Sequence, residues 1–176
     1  MSTLEGFRKE KDDFFRDNRQ SPLTVEQKRG FQGLRYYPEY PALRLELPLE
    51  KAAMPQPVVL QTSTGEAREY LRAGQVRFHV NGQEAVLQVY LDDHGYFLPF
   101  VDATAPDETY GAGRYLEPHD LSTGMDAAVL RPRLIVDFNL AYNPYCAYNE
   151  RWSCPIPPRE NRLTVRIEAG EKRFHD

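Results

Sequence analysis

Apolar positions recur at helical spacing at the start of the chain and at every second residue further on. Leu4, Phe7, Phe14 and Phe15 lie near one helical face, with Glu5 and Lys9, and Asp12 and Arg16, as i,i+4 pairs in the favourable order. Ser2-Thr3-Leu4-Glu5 has the form of a capping box, so a helix is predicted over about 3–18. Thr24-Val25-Glu26-Gln27 repeats that form and Gly30 supplies a stop, which predicts a second, short helix. A helix pair followed by strands suggests a lid or plug over a sheet.

From Leu43 the period becomes two. Leu43, Leu45 and Leu47 alternate with Arg44 and Glu46, and Pro48 ends or edges the strand. Pro57 to Thr62 and Arg68 to Arg72 flank Thr64-Gly65 and can pair as a hairpin. The strongest signal is Val76, Phe78 and Val80, then Asn81-Gly82, then Ala85, Leu87, Val89 and Leu91. Asn-Gly supplies the two positive-φ residues of a type I′ turn, which pairs Phe78 with Ala85 and Val76 with Leu87. Tyr96 to Val101, Tyr110 to Glu117, Leu130 to Phe138 and Arg162 to Glu168 are further strands, and Glu50 to Pro57 reads as a Pro-rich connector. The expectation is a mainly β fold, a β-barrel or β-roll or a sandwich of antiparallel strands, with two N-terminal helices. One domain over 1–176 is expected, divided into an N-terminal helical segment 1–35 and a β domain 40–176.

Composition narrows the function classes. The 176 residues carry 22 basic and 26 acidic side chains, a net charge of −4, which argues against a phosphate-backbone binder. No apolar run of about 18 residues exists, so no membrane span is expected. The charged N-terminus lacks the apolar stretch of a signal peptide, and two cysteines suit a reducing compartment, so the cytoplasm is the expected location. Of the basic residues 17 are Arg, the side chain suited to bidentate capture of carboxylate or phosphate, although codon bias explains the excess as well.

The unusual segment is 137–162. Pro144, Pro155, Pro157 and Pro158 forbid regular structure across much of it, while Tyr, Trp, Asn and Arg combine apolar area with hydrogen-bonding tips. A long irregular stretch inside a compact domain, when ordered, is usually functional. Asp137 ends the apolar run Leu134-Ile135-Val136, so it is either a polar anchor or base, or a structural acid accepting backbone amides or pairing with an Arg such as Arg162. Asn139 and Asn143 read first as loop-ordering turn formers. Cys146 and Cys154 are eight apart and no histidine stands at metal spacing, so buried thiols are expected, with no metal and no cofactor. The stretch 102–126 has six acids and one base, and 151–173 six bases and three acids, so the two can pair with each other. Gly111-Ala112-Gly113 lacks the third glycine of a dinucleotide fingerprint.

An ordered series of blocks then stands out: Phe97-Leu98-Pro99-Phe100-Val101-Asp102-Ala103-Thr104, Glu108-Thr109-Tyr110-Gly111-Ala112-Gly113-Arg114-Tyr115-Leu116, the run Asp137 to Tyr148, Cys154-Pro155-Ile156-Pro157-Pro158 and Glu160-Asn161-Arg162-Leu163. With Ser21-Pro22-Leu23-Thr24 and Phe31-Gln32-Gly33-Leu34-Arg35-Tyr36, this series resembles a bacterial and archaeal family, domain of unknown function 1684. Tyr145 stands where that family more often has a second proline. The resemblance implies a single domain and points to the same loop, and it implies no catalytic residue.

The leading reading is a small-molecule-binding domain whose pocket lies under the loop and takes an anionic ligand. Its expected binding residues are Asp137, Asn139, Tyr142, Asn143, Arg151, Glu160 and Arg162, faced by Glu108, Tyr110 and Arg114. A second reading is a hydrolase or isomerase using Asp137 and Glu160 as acid and base. A third is a non-catalytic interaction or scaffold domain in which the loop is an ordered plug.

Overall fold

A computed structural model of the chain describes residues 3–121 and 132–176. Helix α1 spans Thr3–Asp17 and α2 spans Val25–Arg29. The predicted cap of α2 forms in full: the Thr24 hydroxyl accepts from the Gln27 amide, and the Gln27 side chain returns to the Thr24 amide. Ser2, the cap expected for α1, lies outside the described residues.

Among the described residues eight strands follow: β1 Arg44–Pro48, β2 Glu50–Gln61, β3 Ala67–Val80, β4 Gln83–Asp92, β5 Gly95–Phe100, β6 Arg114–Leu116, β7 His119–Asp120 and β8 Arg133–Asp137. They form two antiparallel sheets, one in the order β2-β3-β4-β5-β6 and the other β1-β8-β7. Among the described residues no strand pairing joins the sheets, so the barrel alternative does not close. Instead both sheets turn one face to a common core. Val76, Phe78 and Val80 from β3, Ala85, Leu87 and Val89 from β4, and Leu134 and Val136 from β8 meet there around Phe100 and Phe138. Burying such side chains stabilises each by roughly 1.5–3 kcal/mol relative to exposure.

The hairpin register is the one the Asn-Gly turn requires, with Phe78 opposite Ala85 and Val76 opposite Leu87, and Asn81 and Gly82 at φ 49° and 78°. The two short strands expected at 68–72 and 76–80 are one strand, β3, interrupted by a bulge. Arg72 pairs with Tyr90 and Gly74 with Val89, so Ala73 is extra and the residues facing the core change parity. Gly74 sits where an added Cβ would come within 2.3 Å of the Glu50 carbonyl oxygen, so the bulge needs glycine. Upstream of it, Tyr70 turns to the outer face and packs with Tyr90 and Leu60 in a second cluster.

Further expectations are corrected. Glu50 to Pro57 belongs to β2, whose pairing with β3 breaks between Lys51 and Gln56; Pro55 and Pro57 are tolerated because β2 is an edge strand. The strand expected over Tyr110 to Glu117 shrinks to β6, because the Gly113 amide turns back to the Tyr110 carbonyl. Arg162 to Glu168 is not a strand. Its backbone meets residues 101–103 through the Leu163 amide on the Val101 carbonyl and the Ala103 amide on the Val165 carbonyl, and beyond Val165 the buried Arg114 guanidinium takes over, donating to the carbonyls of Ile167, Ala169 and Glu171. The strand expected from Leu130 begins at Arg133, and Leu130 lies outside the described residues. Helix α1 sets Phe7 over a hollow lined by Leu116, Ile135 and Val136 of the strands. It lays Phe15 against Tyr148, with ring centroids 5.0 Å apart, and joins a small core with Leu23, Phe31 and Phe174. No helix among the described residues is long and apolar enough to cross a membrane.

Candidate functional site

The loop over 137–162 is ordered by its own polar side chains. Asp137 closes β8 and accepts from the Asn139 amide at 3.0 Å and the Asn139 side chain at 2.9 Å. Its cationic neighbour is Arg44, across the β1–β8 pair at 3.8 Å, rather than Arg162. Asn139 accepts from the Tyr40 amide at 2.7 Å and donates to the Tyr40 carbonyl at 3.0 Å, tying the loop to the segment before β1. Asn143 donates through its side chain to the Lys172 carbonyl, while its backbone amide donates to Glu171. At the far end, fully buried Asn161 accepts from the Gln88 amide and donates to the carbonyls of Gln88 and Pro99. These asparagines do for an irregular segment what a ladder does for a strand.

Two buried charged networks hold this arrangement. Arg114 pairs with Asp102 at 3.1 Å, both almost wholly buried, and Asp102 also accepts from Thr104 and from the Ile167 amide. Burial pulls the Arg114 pKa down and Asp102 opposes the shift. The alternation of β6 explains the placement: Arg114 faces the core beside Phe100, and Tyr115 faces the other side, buried beneath the loop against Tyr142. In the second network Glu171, also buried, accepts from Lys11, the Asn143 amide and the Tyr148 hydroxyl. Burial, then Glu171, pushes the Tyr148 pKa far up. Sequence reasoning missed both as anchors: Asp102 ends the apolar run Phe97 to Val101 as Asp137 ends its own, a signal that could have found it, whereas Glu171 lies in a polar stretch without periodicity.

The ten expected binding residues are therefore not brought to one pocket. Asp137, Asn139, Asn143 and Arg114 hydrogen-bond to the chain itself, although Asn143 Oδ1 and Arg114 Nε are buried without a partner among the described residues. Glu160 pairs with Arg72 and receives the Tyr90 hydroxyl, on the opposite network from Asp137, so the two acids share no partner. Glu108 pairs with Arg166 and Tyr37, whose hydroxyl and then the guanidinium hold its carboxyl below the ordinary range. This contact joins the acidic stretch to the basic one as expected, while Asp126 lies outside the described residues. Arg151 and Arg162 are exposed, and Arg151 stacks on Trp152 at 4.9 Å.

Tyr142 does line a cleft under the loop. It holds about 410 Å³ and is bounded by Arg68, Tyr115, Tyr142, Pro144, Tyr145, Trp152, Ser153, Cys154 and Pro155. Tyr142 meets Tyr115 edge to face at 5.9 Å and Tyr145 meets Trp152 at 5.2 Å, so two aromatic pairs wall it. The loop is seated by strand-like contacts, with Thr62 bridged to Pro155 and Tyr115 to Tyr142. Arg68 leans over the mouth, donating to the Ser153 carbonyl at 2.9 Å, and among the described residues it forms no salt bridge. Tyr110 stands behind the wall and donates to the Cys146 sulfur at 3.7 Å. The two thiols are free and adjacent: the Cys146 amide donates to the Cys154 sulfur at 3.3 Å. Hydrogen bonding from Cys154, and more weakly from Tyr110 and Ser63, pulls the Cys146 pKa down to about 6 against burial that pushes it up.

Other hollows suit an anion less well. One of about 510 Å³ lies between the β4–β5 turn and β7 and is lined by Asp92, Glu117 and Asp120 with His94 and His119. One of about 210 Å³ between Phe7, Ile135 and Leu140 is apolar apart from its rim, and holds Asp137 and Tyr142 at the edge. Among the described residues no cluster of three or more His, Cys, Asp or Glu side chains can hold a metal ion.

The molecule is thus a two-sheet antiparallel β protein with helices at the start and an ordered, Pro-rich loop over one sheet edge. It is similar to an uncharacterised protein of Haloarcula marismortui solved by solution NMR, at 38% identity and a TM-score of 0.69 over 96% of this chain and 91% of that one. The chain belongs to the family described as Protein of unknown function (DUF1684), whose model matches residues 29–172. No curated protein matches it.

Proposed function

We propose that the chain binds a small anionic molecule with a flat, apolar body in the cleft beneath the loop. One observation carries this reading: Arg68, with no carboxylate partner among the described residues, stands at the mouth of a cleft walled by Tyr115, Tyr142, Tyr145 and Trp152. Aromatic walls supply apolar contact area at small entropic cost, and a guanidinium supplies orientation and charge. A cytoplasmic setting agrees with this reading, since reducing conditions keep the wall cysteine Cys154 and its neighbour Cys146 as thiols. The acid–base alternative loses its pair, because Asp137 and Glu160 serve separate networks.

Trp152 is the only tryptophan, so its fluorescence reports directly on the cleft. Titrating the protein with benzoate, phenyl phosphate and larger aryl carboxylates and phosphates should give a saturable change for at least one of them. Arg68→Gln should weaken that binding by roughly 10–100-fold, the worth of one charge-assisted hydrogen bond. A flat response to the whole panel, or equal affinity in Arg68→Gln, refutes the reading.

A further inference from the structure

We propose that Cys146 and Cys154 form a redox-active dithiol that closes to a disulfide when a hydroperoxide reaches it. The inference stands apart from ligand binding, since it needs only the thiols and their neighbours.

Chain geometry presents the pair. Cys146 lies in the single 3-10 turn Tyr145–Ala147, and Cys154 precedes Pro155. Ser63 clamps the second cysteine from both sides: the Cys154 amide donates to its hydroxyl at 3.1 Å, and its own amide donates to the Cys154 carbonyl at 2.9 Å. That clamp fixes the Cys154 sulfur against the Cys146 amide. Cys146 is half-buried rather than enclosed, and Cys154 lines the cleft wall. The sulfur of Cys146 collects donors, chiefly Cys154 and then Tyr110, and so is the partner that ionises, whereas these contacts and burial push the Cys154 thiol up. The charged groups around the pair are few: Arg68 acts on Cys154, and Glu150 acts on Tyr110. A low-pKa thiolate with a protonated thiol in contact is the arrangement of an attacking and a resolving cysteine.

The step balances with the hydroperoxide as the two-electron oxidant. The Cys146 thiolate attacks the distal peroxide oxygen, the O–O bond breaks, and the leaving alkoxide or hydroxide takes a proton, leaving a sulfenic acid on Cys146. The Cys154 sulfur then attacks the sulfenic sulfur, giving up its proton, and water leaves as the S–S bond forms. Two thiols have lost two electrons and the peroxide has gained them. A thiol reductant reverses the bridge by exchange. Tyr145 and Trp152, the aromatic pair on the cleft wall, sit beside the two cysteines in sequence, so the bridge ties that wall together.

The test uses the full chain and stoichiometric hydrogen peroxide. Because the sequence holds only these two cysteines, thiol titration and intact mass are unambiguous. Both thiols should disappear together, the monomer mass should fall by two hydrogens, and dithiothreitol should restore it. The reaction should run faster in the folded chain than in urea. Cys154→Ser should stop at a sulfenic acid on Cys146 that dimedone traps, and Cys146→Ser should react no faster than an ordinary thiol. Persistence of both thiols, oxygen addition without a bridge in the unsubstituted chain, a bridge between chains, or equal rates folded and unfolded each overturn the proposal.

Discussion

Arg114→Met tests whether a buried ion pair, rather than a strand ladder, holds the C-terminal segment. The substitution keeps most of the stem volume but removes the charge from a side chain 1% exposed. It abolishes the 3.1 Å contact with Asp102 and leaves the carbonyls of Ile167, Ala169 and Glu171 without their donor. Removing one partner of a buried pair costs about 3–5 kcal/mol, because the other charge stays behind. Asp102 keeps its bonds from Thr104 and the Ile167 amide, which limits its own penalty, so the carbonyls carry much of the cost. For a chain of this length the loss corresponds to a Tm lower by roughly 10–15 °C. Urea unfolding followed through Trp152 and through far-ultraviolet dichroism gives the free energy, and hydrogen exchange should show the amides of 165–171 opening first. A cycle with Asp102→Asn should return a coupling of about 1–3 kcal/mol. A loss below about 1 kcal/mol, the size of a surface substitution, refutes the reasoning.

Three further substitutions and titrations follow from the same contacts. Glu171→Ala strands Lys11, the Asn143 amide and the Tyr148 hydroxyl at a buried site, and should cost about 3 kcal/mol while raising hydrogen exchange in α1; unchanged exchange there would separate the helix from this anchor. Gly74→Ala drives a Cβ against the Glu50 carbonyl and should destabilise by about 1–3 kcal/mol in thermal melts, whereas Gly82→Ala meets nothing within 4 Å and is strained only by its φ of 78°. If both alanine variants melt together, the bulge contact is not what requires glycine at 74. Iodoacetamide alkylation of Cys146 should rise with pH through a midpoint near about 6, since the reactive thiolate is the form its hydrogen-bond donors stabilise. Tyr110→Phe removes one donor and should move that midpoint upward; a midpoint that stays put assigns the shift to Cys154 and Ser63 without Tyr110.

Local chemistry was legible wherever neighbours in sequence are neighbours in space. The Thr24–Gln27 cap, the Asn81-Gly82 turn and the pairing of Phe78 with Ala85 all follow from short-range rules, and so does the antiparallel class of the fold. The loop was recognised as special because four prolines leave its backbone without ladder partners, and its asparagines supply them.

What the sequence could not decide is which way isolated polar residues point. A one-residue bulge at Ala73 and Gly74 reversed the faces of β3, so one strand read as two. Arg114 looked like a ligand-binding arginine, but β6 turns it inward, and three carbonyls over 167–171, more than fifty residues away, become its partners. Arg68, without a salt bridge among the described residues, carries no motif and becomes a candidate only when β3 brings it beside Ser153 and Trp152. Cys146 and Cys154 are eight residues apart with nothing in their spacing to favour reactivity; the clamp by Ser63 and the hydroxyl of Tyr110 come from distant parts of the chain. Periodicity and turn chemistry are pairwise properties of nearby residues and determine the elements. The partners of a buried charge or a thiol are chosen by long-range packing, and only the tertiary structure sets them.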